Sequence, residues 1–246
     1  MNVYASTNLN NPEPATWRQC VIIDPTGKLK PGEKVVMPCN AETGKAWPVV
    51  ALDRFYFVKL DSAEAANFSQ FAEESGDDMG QGNATDTTSL QDMVKAGNIA
   101  LLTAMHVTGK EIVNWTWQTF WWSPNPDDPI FGNDRPRTLP APWSNYNMNT
   151  AYYMVTPSTA QNGGEPLISY NPYLETNLSG TLTHEVGAAK PIQWYGVFSN
   201  CMSCHRGAAW QHSTYVPNGF VNAGDSVLFK NKAKTDFLWS IPSRAR

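Results

Sequence analysis

Charged side chains are scarce in this chain: Asp, Glu, Lys and Arg make up 16% of its 246 residues, with a formal net charge of -4. Affinity for nucleic acids is built mainly from clustered Lys and Arg, so no nucleic acid partner is expected. Long apolar runs are lacking as well. The best stretch, Ile99 to Val107, has a threonine and a histidine inside it and falls far short of the roughly 18 residues that a membrane-crossing helix needs, so no membrane span is expected. Residues 1–20, MNVYASTNLNNPEPATWRQC, have neither the basic start nor the apolar segment of a secretory signal. Cysteine and histidine are rare, at four residues each. A chain of this length can bury an adequate core without crosslinks, so the cysteines are not needed for mere survival of the fold.

What the chain does have is punctuation and aromatics: 18 Pro, 17 Gly and 10 Trp. This suits a loop-rich domain whose large rings fill irregular space. Turn sequences at Asp24-Pro25-Thr26-Gly27 and Lys30-Pro31-Gly32-Glu33 separate the short apolar runs Val21–Ile23 and Val35–Met37, which predicts a small antiparallel β layer. Cys20 and Cys39 sit at the outer ends of those runs. Pairing of the two strands would place the cysteines opposite each other, and a disulfide follows if their Cα atoms approach within about 7 Å.

VVALDRFYFVKL (49–60) reads as a strand or a pair of strands. Asp61 with Glu64 has capping-box spacing, and Ala65, Phe68, Phe71 and Ala72 follow at helical intervals, which predicts a helix over 62–74. An acidic, Gly-rich loop over 76–86 and a short helix over 89–96 come next. Residues 98–122 read as a hairpin turning near Thr108-Gly109. Alternation along its first arm would put His106 on one face with Ala100, Leu102 and Ala104, and Met105 on the other. In NWTWQTFWW the same rule puts Trp115, Trp117 and Trp121 on one face and Phe120 and Trp122 on the other, mostly as core. Residues 123–187, with SPNPDDP, SNYNMNTAYYM and QNGGEP, read as ordered irregular loop packed on that core.

The concentrated chemistry lies in SNCMSCHRGAAW (199–210). Cys201-x-x-Cys204-His205 is the attachment pattern of c-type haem. On a helical turn, positions i, i+3 and i+4 share one face. Both thiols can then form thioethers with one macrocycle while His205 ligates its iron from the same side. With cysteine and histidine this rare, the pattern arises by chance in roughly one such chain in a thousand. A zinc site or a redox dithiol remain the alternatives. Zinc would want a fourth ligand, and Cys20 and Cys39 are remote and spaced unlike a zinc knuckle; a dithiol centre would want a thioredoxin-like βαβ setting, which does not precede Cys201. Arg206, next to His205, is placed to pair with a haem propionate, or is a solvated helix residue.

The motif CMSCH, with MHVTGKEIVNWTWQTF upstream and a late TDFLWS, resembles a group of exported bacterial cytochrome c family proteins. In that group the aromatic strand more often ends Thr-Phe-Glu-His. Here Thr119-Phe120 is followed by Trp121-Trp122, so any role of that second histidine is absent. The resemblance implies one covalent haem c and a periplasmic or otherwise exported location, with a leader removed by processing. An oxidising compartment also suits a Cys20–Cys39 disulfide.

The expected fold is α+β and loop-rich: a β-rich N-terminal and central region, short helices, and a haem-bearing helical turn near the C-terminus. It forms one domain over 1–246, subdivisible into a β-rich part (1–123) and a loop-rich, haem-bearing part (124–246). The iron's sixth position decides the chemistry. His106 is the first choice as second metal ligand, because Ala100 and Ala104 leave room for its ring; a core histidine satisfied by a carbonyl is the alternative, and Met105 and His184 are further candidates. His212, seven residues after His205, would project from the proximal side. The expected function is a monohaem c-type cytochrome transferring single electrons. The alternatives are a haem enzyme with an open iron position, peroxidase-like or acting on oxygen or other small ligands, and an aromatic-rich binding module. The expected partner is a redox protein or a small-molecule substrate.

Overall fold

The structure, a computed structural model, describes residues 1–4, 17, 19–39, 42–75, 95–127, 135–151, 171–175, 201–210 and 229–240. These are mostly β, in small sheets joined by loops. Strand β1 (Asn2–Val3) pairs antiparallel with β2 (Gln19–Cys20). In a three-stranded sheet, β5 (Ala46–Val50) lies between β3 (Ile22–Ile23), which is parallel to it, and β4 (Lys34–Val36), which is antiparallel. The predicted pairing of the two apolar runs with each other is therefore corrected: β5 separates them. Its Val49 N–H donates to Glu33 O, and its Val49 carbonyl accepts from Gly32, so the turn residues dock on β5 instead of closing a hairpin. Cys20 and Cys39 nevertheless form a disulfide, with Cα atoms 6.5 Å apart.

The 49–60 segment resolves into two strands. β5 ends at Val50, a single 3-10 turn covers Leu52–Arg54, and β6 spans Phe57–Lys59. Helix α1 spans Ser62–Ser75. Its start is the predicted capping box, in which Glu64 N–H donates to Asp61 Oδ1 and Asp61 N–H donates to Glu64 Oε2, both at 2.8 Å. Asp61→Ala should lower stability by about 1 kcal/mol, the usual cost of a lost N-cap, read as a shifted urea midpoint with an unchanged slope. The predicted loop over 76–86 and most of the predicted helix over 89–96 lie outside the described residues.

The hairpin expected over 98–122 is split. β7 (Ile99–Leu101) pairs with β6, whereas β8 (Ala104–Gly109) pairs with β9 (Thr116–Trp122). The chain changes partners at Leu102 and Thr103: Leu102 N–H bonds Tyr56 O, and Thr103 O accepts from Trp122 N–H. The alternation linking His106 to Ala100 and Leu102 is thereby broken, and His106 shares its face with Ala104 and Thr108. The third strand of that sheet, β10 (Tyr146–Ala151), runs antiparallel to β9. It falls in the stretch expected to be irregular loop. Two asparagines depress its β propensity, but Asn147 and Asn149 are buried on the inner face, where polar partners are available.

The end of this sheet anchors the N-terminal layers. Trp122 stacks on Phe55 at 4.4 Å and donates its indole N–H to Arg54 O. Tyr146 donates its hydroxyl proton to Leu102 O at 2.7 Å and accepts from Tyr56 N–H at 3.0 Å. Val3, Val21 and Val50 complete this core. The short helix α2, Cys201–Arg206, carries the CMSCHR sequence.

Candidate functional site

Register in the β8–β9–β10 sheet sets one continuous face. Ala104, His106 and Thr108 lie opposite Trp121, Thr119 and Trp117, which lie opposite Asn147, Asn149 and Ala151. The β9 and β10 members of this set are all buried. Trp121 is enclosed, with Tyr4 against it; Asn147, with its amide turned to suit both neighbours, donates to Pro126 O at 3.0 Å and accepts from Trp121 Nε1 at 3.2 Å. Of the four tryptophans in the aromatic segment, Trp117, Trp121 and Trp122 are core, as expected. Trp115 lies before the strand, with φ at 61°.

Helix α2 packs against the Trp117 end of this face. Cys201 and Met202 are buried there in one cluster with Trp117, Ala151 and Phe237. Cys201, Cys204 and His205 therefore lie on a helical turn, as the spacing predicts, with their backbones on a common face. The His205 ring lies 4.4 Å from the Trp117 ring, and its Nδ1 is 2.7 Å from the Phe237 carbonyl oxygen. Since a carbonyl only accepts, Nδ1 carries the proton and Nε2 keeps its lone pair. Burial pulls the His205 pKa down, partly offset by the Phe237 hydrogen bond, so the ring is held neutral, the form that binds metal.

The carbonyl that orients His205 is itself set by an uncommon backbone. Asp236 and Phe237 have φ values of 49° and 70°, in the left-handed region that non-glycine residues seldom occupy. Asp236 is fixed there by an ion pair with Lys110 at 2.7 Å, from the end of β8. Lys110 also lies over the Trp115 ring. Left-handed residues cluster where the surrounding structure over-determines them, often at functional sites, and here two in succession set the carbonyl that supports one imidazole.

His106 approaches from the sheet. Its side chain is about one-third exposed, and its Nε2 lies 3.8 Å from Glu175 Oε1. A nitrogen of His106, a carboxylate oxygen of Glu175 and the Cys201 sulfur all lie within 4.8 Å of one another. Burial, with a smaller contribution from the neighbouring His205, pushes the His106 pKa down to about 4, and burial pushes that of Glu175 up to about 8. Near neutral pH the His106 imidazole is therefore uncharged, and the Glu175 carboxyl is shifted toward its neutral form.

Glu175 belongs to the turn Asn171–Glu175, which begins Asn-Pro. Asn171 N–H donates to Glu175 Oε2, and the Asn171 side chain closes the turn by accepting from Tyr173 N–H. The same side chain donates to Thr119 Oγ1 at 2.8 Å and Phe120 O at 3.0 Å. Thr119 is the strand partner of His106. Asn-Pro marks a turn in the sequence, but no local signal reports that this turn delivers a carboxyl to a histidine 69 positions earlier, and Glu175 was not among the expected site residues.

Arg206 packs on the support of His205. Its guanidinium lies 5.0 Å over the Phe237 ring, and its Nε is buried with no hydrogen-bond acceptor among the described residues, a donor suited to an anionic group. Met105 lies on the sheet face opposite to His106. His184, His212 and the side chain of Cys204 lie outside the described residues.

The residues present fit a covalently held haem c. The donor set is right for it, the Nε2 of His205 is left available by the Phe237 carbonyl, and a second imidazole, that of His106, lies near Cys201. No known protein family, curated protein or solved structure matches the chain.

Proposed function

We propose that this protein is an exported monohaem c-type cytochrome that passes single electrons between redox partners. Cys201 and Cys204 would hold the group covalently, His205 and His106 would ligate its iron, and Arg206 would pair with a propionate. The observation that carries the reading is the 2.7 Å contact of His205 Nδ1 with Phe237 O inside a Cys-x-x-Cys-His helical turn. Metal-bound histidines characteristically donate their other N–H to a carbonyl or carboxylate, which fixes ring and tautomer. Haem c supplies a one-electron iron couple, tuned by its axial ligands, nearby hydrogen bonds and burial. The chain's own residues supply the rest: Trp117 and Phe237 hold the proximal imidazole in one orientation, and the rigid β8–β9 pair presents His106. The Cys20–Cys39 disulfide is consistent with an oxidising, exported compartment.

A specific observation supports a second reading, a metal site made of Cys201, His106 and Glu175, whose donor atoms lie within 4.8 Å of one another. Thiolate, imidazole and carboxylate are all zinc ligands. The two readings compete for Cys201, because a thioether sulfur is no longer a thiolate.

Absorption spectra after expression with haem-maturation machinery separate the possibilities. The oxidised and reduced protein should show low-spin haem c bands unchanged by carbon monoxide, and His106→Ala should bind carbon monoxide readily. A wild-type protein that binds carbon monoxide would favour the haem enzyme with an open iron position, with His106 as a distal acid/base group. A protein free of haem that contains stoichiometric zinc would establish the second reading.

A further inference from the structure

We infer that Glu175 is a positioning residue for the second axial ligand: its buried carboxyl, clamped by Asn171, holds the His106 ring toward the iron. This rests on the proposed cytochrome reading. It is carried by a closed circuit of contacts. His106 and Thr119 are cross-strand partners in β8 and β9. The Thr119 hydroxyl accepts from the Asn171 amide at 2.8 Å, the Asn171 backbone N–H donates to Glu175 Oε2, and Glu175 Oε1 returns to His106 Nε2 at 3.8 Å. The strand residue that faces His106 therefore also fixes the turn bearing the carboxyl.

The circuit explains why a carboxyl is buried at this point. A buried carboxyl is costly without partners, and a salt bridge to a cation would be the common solution. Among the described residues no Lys or Arg is ion-paired with Glu175, and its partners there are one backbone N–H and one imidazole. At 3.8 Å the His106 contact is longer than a hydrogen bond, and ligation of iron would draw on the imidazole nitrogen not turned to the carboxyl. A carboxyl beside a metal-bound imidazole orients it and raises its basicity, and loss of such a partner typically costs 10–100-fold in metal affinity. The His106 side chain is about one-third exposed, so without Glu175 its ring could turn toward solvent.

The test compares Glu175→Gln, Glu175→Asp and Glu175→Leu in the haem-loaded protein. Covalent haem, thermal unfolding, the low-spin fraction by electron paramagnetic resonance, and carbon monoxide binding to the reduced form are all read. Glu175→Gln keeps the size but has one acceptor for two donors, the Asn171 N–H and the His106 Nε2–H, so its carbon monoxide affinity should lie between those of wild type and Glu175→Leu. Glu175→Asp is one methylene short and should keep its covalent haem but raise the carbon monoxide affinity at least tenfold, with a matching high-spin signal. Glu175→Leu should do the same; if it does not fold, the Asp variant decides. In a His106→Ala background Glu175→Asp should add nothing. A folded Glu175→Asp protein that is as low-spin and as silent to carbon monoxide as wild type overturns the inference and leaves the cytochrome reading standing. A wild-type protein without covalent haem overturns that reading itself.

Discussion

Replacing both Cys201 and Cys204 with alanine is expected to abolish covalent haem: none should remain on the polypeptide after denaturation and extraction with acidic solvent. Either single replacement should leave at most one thioether and a lower haem yield. The reason is geometric. The two positions are three apart on one turn of α2, and Cys201 is 8% exposed in a cluster with Met202, Trp117 and Phe237. Cys201 is therefore packed against the sheet, and Cys204 follows one helical turn later. On the proposed reading, replacing His205 would remove an iron ligand but not the covalent link. A His205→Ala protein that keeps its covalent haem with an altered visible spectrum separates the two roles. Haem that stays bound through denaturation of the double cysteine variant would contradict the assignment.

Trp121→Ala should cost about 3–5 kcal/mol, the usual loss for a large aromatic truncated in a close-packed core. For a chain of this size that corresponds to a fall in melting temperature on the order of 10 °C. Trp121 is 0% exposed, lies between Ala104 and Asn147 in register, and packs against Tyr4. Its removal would open a cavity beside the buried row of Thr119, Asn147 and Asn149 and leave the Asn147 amide short of a donor. Because His106 and Thr119 stand two residues along the same paired strands, the variant should also loosen the placement of His106. Calorimetry or urea unfolding reads the first effect. A loss below about 1 kcal/mol would mean that this face is not the close-packed support described.

The local signals in the sequence translated directly into structure. The Asp61/Glu64 capping box begins α1, and the Cys-x-x-Cys-His spacing lies on a helical turn, because each is decided within a few residues. The disulfide between Cys20 and Cys39 was also anticipated, although the strands near them flank β5 and do not pair with each other. Partner choice was the harder question. Residues 99–109 have uniform β character, and only the tertiary hydrogen bonds at Leu102 and Thr103 divide them between two sheets. β10 was hidden by its asparagines, whose low strand propensity is overridden by the buried polar face they complete.

The candidate site shows the same division. Cys201, Cys204, His205 and His106 could be named from motif and alternation, although the face assigned to His106 extended too far toward Ala100. The Phe237 carbonyl, the left-handed turn at Asp236, and Glu175 could not, since each acts through a contact between segments far apart in the chain. Long-range polar contacts leave little trace in a single sequence, and here one of them orients His205 and another brings Glu175 beside His106.

The most direct test of the central claim is the mass and pyridine haemochrome spectrum of the denatured wild-type chain after expression with haem-maturation machinery. The account predicts one haem c per polypeptide, retained through denaturation. A chain of unmodified mass with no haem c spectrum, still carrying both thiols of Cys201 and Cys204, would contradict it and turn attention to the Cys201–His106–Glu175 metal site.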